Sequence, residues 1–287
     1  MKLWVAFAMG VVLAVNVTVS AAEAFSPAGI RGLELWLDAS DTNSVTVTNG
    51  RVSQWNDRST NGFHAVQTVA ESRPGYRSQL RGGLPMLQFY ALGVMLQTEC
   101  IPARGDGPRT IIAALANVAE APGTINHVLH YGSPFIEQAY GITSRGSSKN
   151  VWGNAYWMGG FDTGIPSDAG GGTIVVASYG NGMDTFTING GATATHAVSL
   201  DTAGGKYGTY GIVIGARIDP YYGRPAEPGR FDCGEVLAFS TALSTEDRQT
   251  VEGYLAHKWG MTAALPADHP YKTSPPAVAP GAGMGSP

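Results

Sequence analysis

The most informative pattern of apolar and polar positions lies between residues 235 and 260. Residues 236–239 form a continuous apolar run, which predicts a strand covered on both faces. Ser244 and Asp247 then have the spacing of a helix-capping pair, and apolar residues recur after them at helical spacing. Gly260 suits the left-handed conformation that ends many helices. This part of the chain therefore predicts a buried strand followed by one short helix.

The chain before this helix shows short apolar or alternating segments rich in Val, Thr, Ile and Tyr, which are typical of strands. Asn189, Gly190 and Gly191 separate two alternating segments, which predicts a hairpin because these residues tolerate positive φ. So many short strands with one late helix predict an all-β fold of two packed antiparallel sheets. The predicted strands cover residues 33–37, 51–55, 63–68, 84–89, 94–97, 110–115, 127–131, 139–143, 151–157, 173–179, 184–189, 193–198, 210–214 and 231–239.

The N-terminal residues have the layout of a secretory signal peptide. Residues 3–15 carry no charge and are followed by small residues, so we predict a signal peptide over residues 1–24. The alternative is an uncleaved anchor, but the apolar run is shorter than the roughly 20 residues that a membrane-spanning helix needs. We expect an exported protein that is secreted, periplasmic or at the cell surface, with no membrane span after signal cleavage.

One domain is expected over residues 25–272, because no linker interrupts them. Residues 273–287 are rich in Pro and Gly and lack apolar surface, so we expect a disordered tail. The net charge is −4 and 14% of residues are charged, with no cluster of Lys and Arg. This composition argues against nucleic acid as a partner, because the phosphate backbone requires a basic face.

Two cysteines, Cys100 and Cys233, occur in a chain that we expect to leave the reducing cytoplasm. A single disulfide between them is the natural prediction for an exported protein. The alternative is two buried free thiols that behave as small apolar residues.

Several stretches together resemble the bacterial LamG-like jelly-roll domains of the concanavalin A-like lectin/glucanase superfamily. They are residues 32–45, residues 50–67 with the later segment 83–89, and the terminal strand and helix with their extension over residues 259–271. The resemblance implies a two-sheet antiparallel jelly-roll sandwich with one short C-terminal helix. It does not specify an activity, because this fold hosts lectins, adhesive modules, hydrolases and lyases.

The resemblance also implies a calcium site. Residues 57–62 are similar to the D-x-S-G-N-G loop of the superfamily, with Thr60 in place of the first glycine. Asp57 and Asn61 are the candidate ligands, and Asp38 or Asp41 would have to converge on them, since calcium takes six to eight oxygens. The alternative is a plain Asx turn after the preceding strand.

Catalytic motifs expected of such folds are absent from the sequence. A glucanase of this fold would be expected to carry paired carboxylates on one strand face, because retaining hydrolysis places its acid and nucleophile about 5 Å apart. No Glu-x-Asp-x-x-Glu pattern is present, and residues 206–210 only faintly resemble the Tyr-x-Lys strand of jelly-roll polysaccharide lyases. We therefore predict no catalytic residues.

The remaining candidates are aromatic residues in two loop-rich segments. Rings can stack on sugars while charged side chains bond their hydroxyls, and loops are common ligand sites. The predicted function is a non-catalytic, lectin-like module for polysaccharide or glycoprotein glycans. The alternatives are a structural or adhesive protein that contacts other surface proteins, and a glycoside hydrolase or polysaccharide lyase with an unrecognised site. The predicted ligand-binding residues are Trp157, Phe161, Tyr221, Tyr222 and Arg224.

Overall fold

The structure is a computed structural model that describes residues 24–119, 125–133, 135–145, 151–154, 160–167, 171–203, 210–219 and 221–277. Its regular elements are strands and one α-helix, α1 (Thr245–Lys258), besides short 3₁₀ turns at Pro27–Gly29, Thr42–Ser44, Ala70–Ser72 and Thr262–Ala264. The strands are β1 (Leu33–Asp38), β2 (Val45–Thr48), β3 (Arg51–Trp55), β4 (Ala65–Val66), β5 (Gly75–Arg81), β6 (Leu84–Phe89), β7 (Leu96–Gln97), β8 (Arg109–Ala116), β9 (Ile125–Gly132), β10 (Ala139–Arg145), β11 (Val151–Asn154), β12 (Phe161–Pro166), β13 (Thr173–Gly180), β14 (Met183–Ile188), β15 (Ala192–Ala197), β16 (Tyr210–Ile214), β17 (Arg217–Ile218), β18 (Pro225–Ala226) and β19 (Phe231–Phe239).

The prediction of an antiparallel all-β fold with one short helix is confirmed. Every pairing between the described strands is antiparallel, and seventeen of these strands join in one near-closed hydrogen-bonded network, with β17 and β18 as a separate pair. The expected division into two sheets is therefore not defined by the hydrogen-bond pairing. Strands β8, β13 and β19 lie at the centre, where Leu237 pairs with Ile112 and Ile112 pairs with Val176. Strand β19 is buried along its whole length, as its apolar run predicted.

The predicted helix begins and ends where its sequence signals indicate. The hydroxyl of Ser244 accepts the backbone N–H of Asp247 at 3.0 Å, which satisfies one of the free donors of the first turn. Val251 and Leu255 are fully buried. Gly260 follows the helix with φ of 62°, the left-handed conformation that favours glycine.

A buried carboxylate docks the helix on the strands. Glu235 of β19 accepts hydrogen bonds from the indole N–H groups of Trp36 (2.7 Å) and Trp259 (2.9 Å), the Tyr254 hydroxyl (2.9 Å) and the Lys258 ammonium (2.8 Å). Burial raises the pKa of Glu235, and the Lys258 charge acts in the opposite direction. These contacts join β1, β19 and α1, which explains why the terminal strand and helix form one unit.

The predicted hairpin is also confirmed. Ile188 pairs with Ala192 across the turn, and Asn189 and Gly190 have φ of 51° and 68°. Strand β5, in contrast, was not predicted, because its sequence GYRSQLR has almost no apolar alternation. Strand β12 falls in a segment that we expected to be a loop.

The predicted disulfide is wrong. Cys100 and Cys233 are free and fully buried. Cys233 pairs with core residues Leu87 and Leu115 on the neighbouring strands, whereas the carbonyl of Cys100 accepts the N–H of Ile212. Burial raises the pKa of both thiols, which describes small apolar core residues.

The folded part of the chain extends slightly beyond the predicted domain of residues 25–272. Ala24 and Ala277 form an isolated antiparallel bridge, and Pro276 is buried. The predicted signal peptide, apart from Ala24, and residues 278–287 of the predicted tail lie outside the described residues, so both stay predictions. Among the described residues, no helix has the length and apolar character that crossing a bilayer requires.

Candidate functional site

A row of four residues crosses the sheet at the start of β19. Asp232 pairs with Gln88 of β6 on one side and Ala116 of β8 on the other, and Gln88 pairs with Gly75 of β5. Residues directly opposite each other in a ladder point to the same face, and the next residue along each strand points to the other face. The neighbouring residues along these strands belong to the core, so the row that contains Asp232 lies on the face of the sheet that points away from the core.

This face holds a groove. Two cavities of about 340 and 570 Å³ lie next to each other and share Arg77, Gln88 and Tyr90 as lining residues. We call the two cavities together the Asp232 groove. Its lining residues are Asn49, Gly50, Arg51, Gly75, Tyr76, Arg77, Ser78, Gln79, Leu80, Gln88, Tyr90, Ala91, Val94, Asn117 and Asp232.

Asp232 is the carboxylic acid of the groove, and its side chain is almost completely covered, with 1% of the residue exposed. Its Oδ2 accepts a hydrogen bond from the Asn117 amide at 2.7 Å and lies 3.4 Å from the Tyr90 hydroxyl. The same hydroxyl donates to the Asn117 carbonyl at 2.9 Å. Oδ1 has no hydrogen-bond partner among the described residues.

This environment shifts the ionisation of the Asp232 carboxyl group toward its protonated form. Burial raises the pKa of Asp232, and the opposing effects of Asn117, Tyr90, Arg77 and Gln88 do not compensate for it. Burial and the Asp232 charge also raise the pKa of Tyr90 to about 12. Asp232 therefore keeps its proton to a higher pH than an ordinary aspartate, which is a property of catalytic proton donors.

A tight hairpin turn positions one wall of the groove. Asn49 and Gly50 connect β2 and β3 with φ of 51° and 72°, and this conformation is typical of two-residue Asn-Gly turns. Arg51, the first residue of β3, pairs with Gly75 of β5, and the Tyr76 N–H donates to the Gly50 carbonyl at 2.9 Å. The turn thus places Arg51 beside the start of β5.

The sequence did not single out the groove residues. Arg77 lies on the strand that was not predicted, and Tyr90 and Asn117 follow strand ends. The available signal was Asp232 itself, because an acid within the buried strand FDCGEVLAF is uncommon and has to be paired or functional.

The predicted ligand-binding residues lie elsewhere. Trp157 is outside the described residues. Phe161 is 8% exposed, and its ring stacks on His196 with the ring centres 5.1 Å apart, which leaves little of its surface for a ligand.

Tyr221 and Tyr222 are exposed, at 68% and 71%, as expected. The Asp219 carboxylate accepts both of their backbone N–H groups, at 2.9 and 3.0 Å. The Arg224 guanidinium lies 4.8 Å from the centre of the Tyr222 ring. These three predicted residues share one loop, and none of them lines the Asp232 groove.

The candidate calcium loop forms the Asx turn that was the alternative. Asp57 Oδ1 accepts the backbone N–H groups of Trp36 and Ser59, both at 2.9 Å, and Oδ2 accepts the Ser59 hydroxyl and the Phe63 N–H. The Asn61 amide donates to a backbone carbonyl at 3.0 Å. No group of three potential metal-ligating His, Cys, Asp or Glu residues occurs in the described part of the chain. Calcium at Asp57 and Asn61 stays a prediction, and it would have to displace these donors.

Two further acids are held by basic residues. Hydrogen bonds from His127 and Arg217 outweigh burial and lower the pKa of Glu227 to about 2. Burial raises the pKa of Glu252 to about 7, although Arg248 donates to both of its oxygens at 2.7 and 2.8 Å. Both acids are thus paired with basic side chains, whereas Oδ1 of Asp232 has no hydrogen-bond partner among the described residues.

Known structures share this fold at low sequence identity. A Trypanosoma rangeli sialidase in complex with 2,3-difluorosialic acid, a covalent intermediate, matches with a TM-score of 0.52 and 15% identity over 85% of this chain and 37% of the sialidase. An arabinofuranosidase complexed with arabinofuranosyl-α-1,2-xylobiose matches with a TM-score of 0.55 and 13% identity over 81% of this chain and 60% of that enzyme. No protein-family model and no curated protein matches the chain.

These comparisons correct the predicted function. The matched structures are enzymes that act on glycosides, so the prediction of a non-catalytic, lectin-like module is wrong, and the resemblance to the concanavalin A-like superfamily is not confirmed. This chain spans only 37% and 60% of the two enzymes, and at such identities the likeness concerns the fold. Asp232 is the one acid among the described residues that line the groove, so the groove has no pair of carboxylates on one strand.

Proposed function

We propose that this protein is a carbohydrate-active enzyme of the glycoside-hydrolase kind that binds its substrate in the Asp232 groove. The observation that carries the proposal is the buried Asp232 carboxyl group at the groove, which contacts Asn117 and Tyr90 through Oδ2 and has a raised pKa. The matched glycosidases support a carbohydrate ligand.

The groove has the size and chemistry that a sugar requires. Cavities of about 340 and 570 Å³ fall in the range of small-molecule sites. The Gln88 and Asn117 amides supply donors and acceptors for hydroxyl groups, and the exposed Tyr90 ring offers a flat apolar surface.

Asp232 is suited to donate a proton. Tyr90 has one hydroxyl proton, and the Asn117 carbonyl accepts it at 2.9 Å, so the Tyr90 oxygen is able to accept a proton held on Oδ2 of Asp232. A glycosidic oxygen that replaces this long 3.4 Å contact would receive the proton as the bond to the anomeric carbon breaks. Water then adds to that carbon and returns a proton to the Asp232 carboxylate, which completes hydrolysis.

The test is release of 4-nitrophenol from a panel of aryl glycosides, including the α-L-arabinofuranoside, together with release of reducing sugar from polysaccharides. We expect Asp232→Asn to lower kcat on polysaccharides, whose leaving sugar hydroxyl needs a proton, by about 100-fold or more, because a positioned acid typically contributes at least that factor. The matched control is Asp201→Asn, which changes an exposed aspartate that does not line the groove.

Two results would refute the proposal. The first is no cleavage of any glycoside by the parent protein. The second is an Asp232→Asn variant that is as active as Asp201→Asn.

We also infer that the strands divide into two packed layers in the manner of a jelly roll. The supporting observation is burial of β8 and β19 along their entire lengths. An antiparallel strand that is buried throughout needs cover on both faces of its sheet. The loop of Tyr221, Tyr222 and Arg224 remains a candidate for additional sugar contacts.

A further inference from the structure

The smaller cavity of the Asp232 groove is positively charged. Its lining contains Arg51 and Arg77 and no Asp or Glu. This contrasts with the whole chain, which has a net charge of −4. The charge is therefore a local property of the groove.

Neither arginine forms an ion pair with a carboxylate of the described residues. Arg51 donates to the backbone carbonyl of Arg73 at 2.8 Å, and Arg77 donates through Nε to the Gln88 amide oxygen at 3.2 Å. These neutral acceptors orient the two guanidinium groups and leave their other N–H donors available to a ligand. Both arginines are exposed, so a ligand can reach them.

Arg77 connects this charge to the proposed proton donor. It lines both cavities, and its charge acts on the ionisation of both Tyr90 and Asp232. A substrate group bound at Arg77 would thus lie close to the part of the substrate that is next to Asp232. The two arginines belong to different strands, β3 and β5, whose pairing at Arg51 and Gly75 sets their relative position.

We infer that Arg51 and Arg77 bind the carboxylate of an acidic sugar, so that the substrates are glycosides of carboxylate-bearing sugars such as uronic acids. This inference rests on the proposed glycosidase function. Guanidinium groups bind carboxylates with two parallel, charge-assisted hydrogen bonds, which neutral hydroxyl groups do not provide. A neutral sugar at the same place would leave both charges without a partner.

The test compares acidic sugars with their uncharged methyl esters. Glucuronate, galacturonate and N-acetylneuraminate are titrated calorimetrically into the full chain, beside the methyl ester of each sugar. We expect at least one acid to bind about tenfold more tightly than its ester, the difference that one hydrogen bond to a charged group supplies. The preference should weaken as salt is added, because both arginines are exposed.

Arg51→Gln, Arg77→Gln and the double variant should remove this preference by weakening the binding of the acids more than the binding of the esters. Arg31→Gln is the matched control, because Arg31 is exposed and does not line the groove. Circular dichroism and the Tm of each variant show that the fold is retained. Equal binding of acids and esters, no binding of any acid, or an unchanged preference in the double variant would overturn the inference.

The two proposals can fail separately. Cleavage of neutral glycosides that depends on Asp232, with equal binding of acids and esters, would refute the acidic-sugar inference alone. Tight binding of an acid that needs Arg51 and Arg77, without cleavage of any glycoside, would refute the catalytic proposal and leave the binding site in place.

Discussion

Trp36 and Glu235 are 199 positions apart in the chain, and the Trp36 indole N–H donates to Oε1 of Glu235 at 2.7 Å. The acid is fully buried and is shared with the indole of Trp259 and the ammonium of Lys258. One carboxylate thus holds the first strand, the last strand and the helix together.

Glu235→Ala should lower the free energy of unfolding by about 3–5 kcal/mol, because removing one member of a buried charged network leaves its partners without compensation. Urea denaturation followed by tryptophan fluorescence measures this loss. Glu99→Ala is the control, since Glu99 is exposed, and should change stability little. Equal midpoints for the two variants would show that the network does not stabilise the fold.

Asp232→Asn should leave the protein as stable as its parent or more stable at pH 7, while activity is lost. Burial raises the pKa of Asp232 in the folded protein, so between pH 3.8 and this raised pKa the folded state binds more protons than the unfolded state. Stability contributed by this group therefore falls as pH rises through that window. Tm measured against pH should show the gain of the variant at pH 7 and its absence near pH 3. If Asp232→Asn is less stable than the parent protein at pH 7, the buried Asp232 does not destabilise the folded protein and this prediction is wrong.

Glu252 should make stability depend on pH near neutrality. Burial raises its pKa to about 7 from an ordinary 4.5, so its contribution is fully present below pH 4.5 and is lost as pH rises through 7. The difference in unfolding free energy between the parent and Glu252→Gln should change by about 3 kcal/mol across this interval. Burial lowers the pKa of the neighbouring His269, which acts in the opposite direction, so the paired difference is the quantity to measure. A difference that stays constant between pH 4.5 and 7 would refute the raised pKa of Glu252.

Both cysteines should titrate as thiols. In guanidinium chloride without reductant, Ellman's reagent should detect Cys100 and Cys233, and in the native protein both should react slowly because they are fully buried. Addition of reductant should not change Tm. If the thiols are detected only after reduction, the two cysteines form a disulfide in the protein.

Local features were predictable from the sequence because their causes are local. The apolar run of β19, the capping residues Ser244 and Asp247 and the Asn189 turn each act through neighbours a few positions away. The candidate site was not predictable, because its residues come from separate strands and belong together only through the register of the sheet. Strand β5, with Arg77, carries no apolar pattern from which even a strand could be inferred.

The amino-acid sequence by itself determined an antiparallel β fold that is closed by a strand and a capped helix, since hydrophobic periodicity and capping are short-range properties. Only the tertiary structure decided that Cys100 and Cys233 stay apart and that Asp232, Tyr90 and Asn117 meet beside Arg77. The physical reason is that pairing across strands brings distant residues within hydrogen-bond distance. Burial there raises the pKa of Asp232, and its hydrogen-bond partners Asn117 and Tyr90 lie far from it in the sequence.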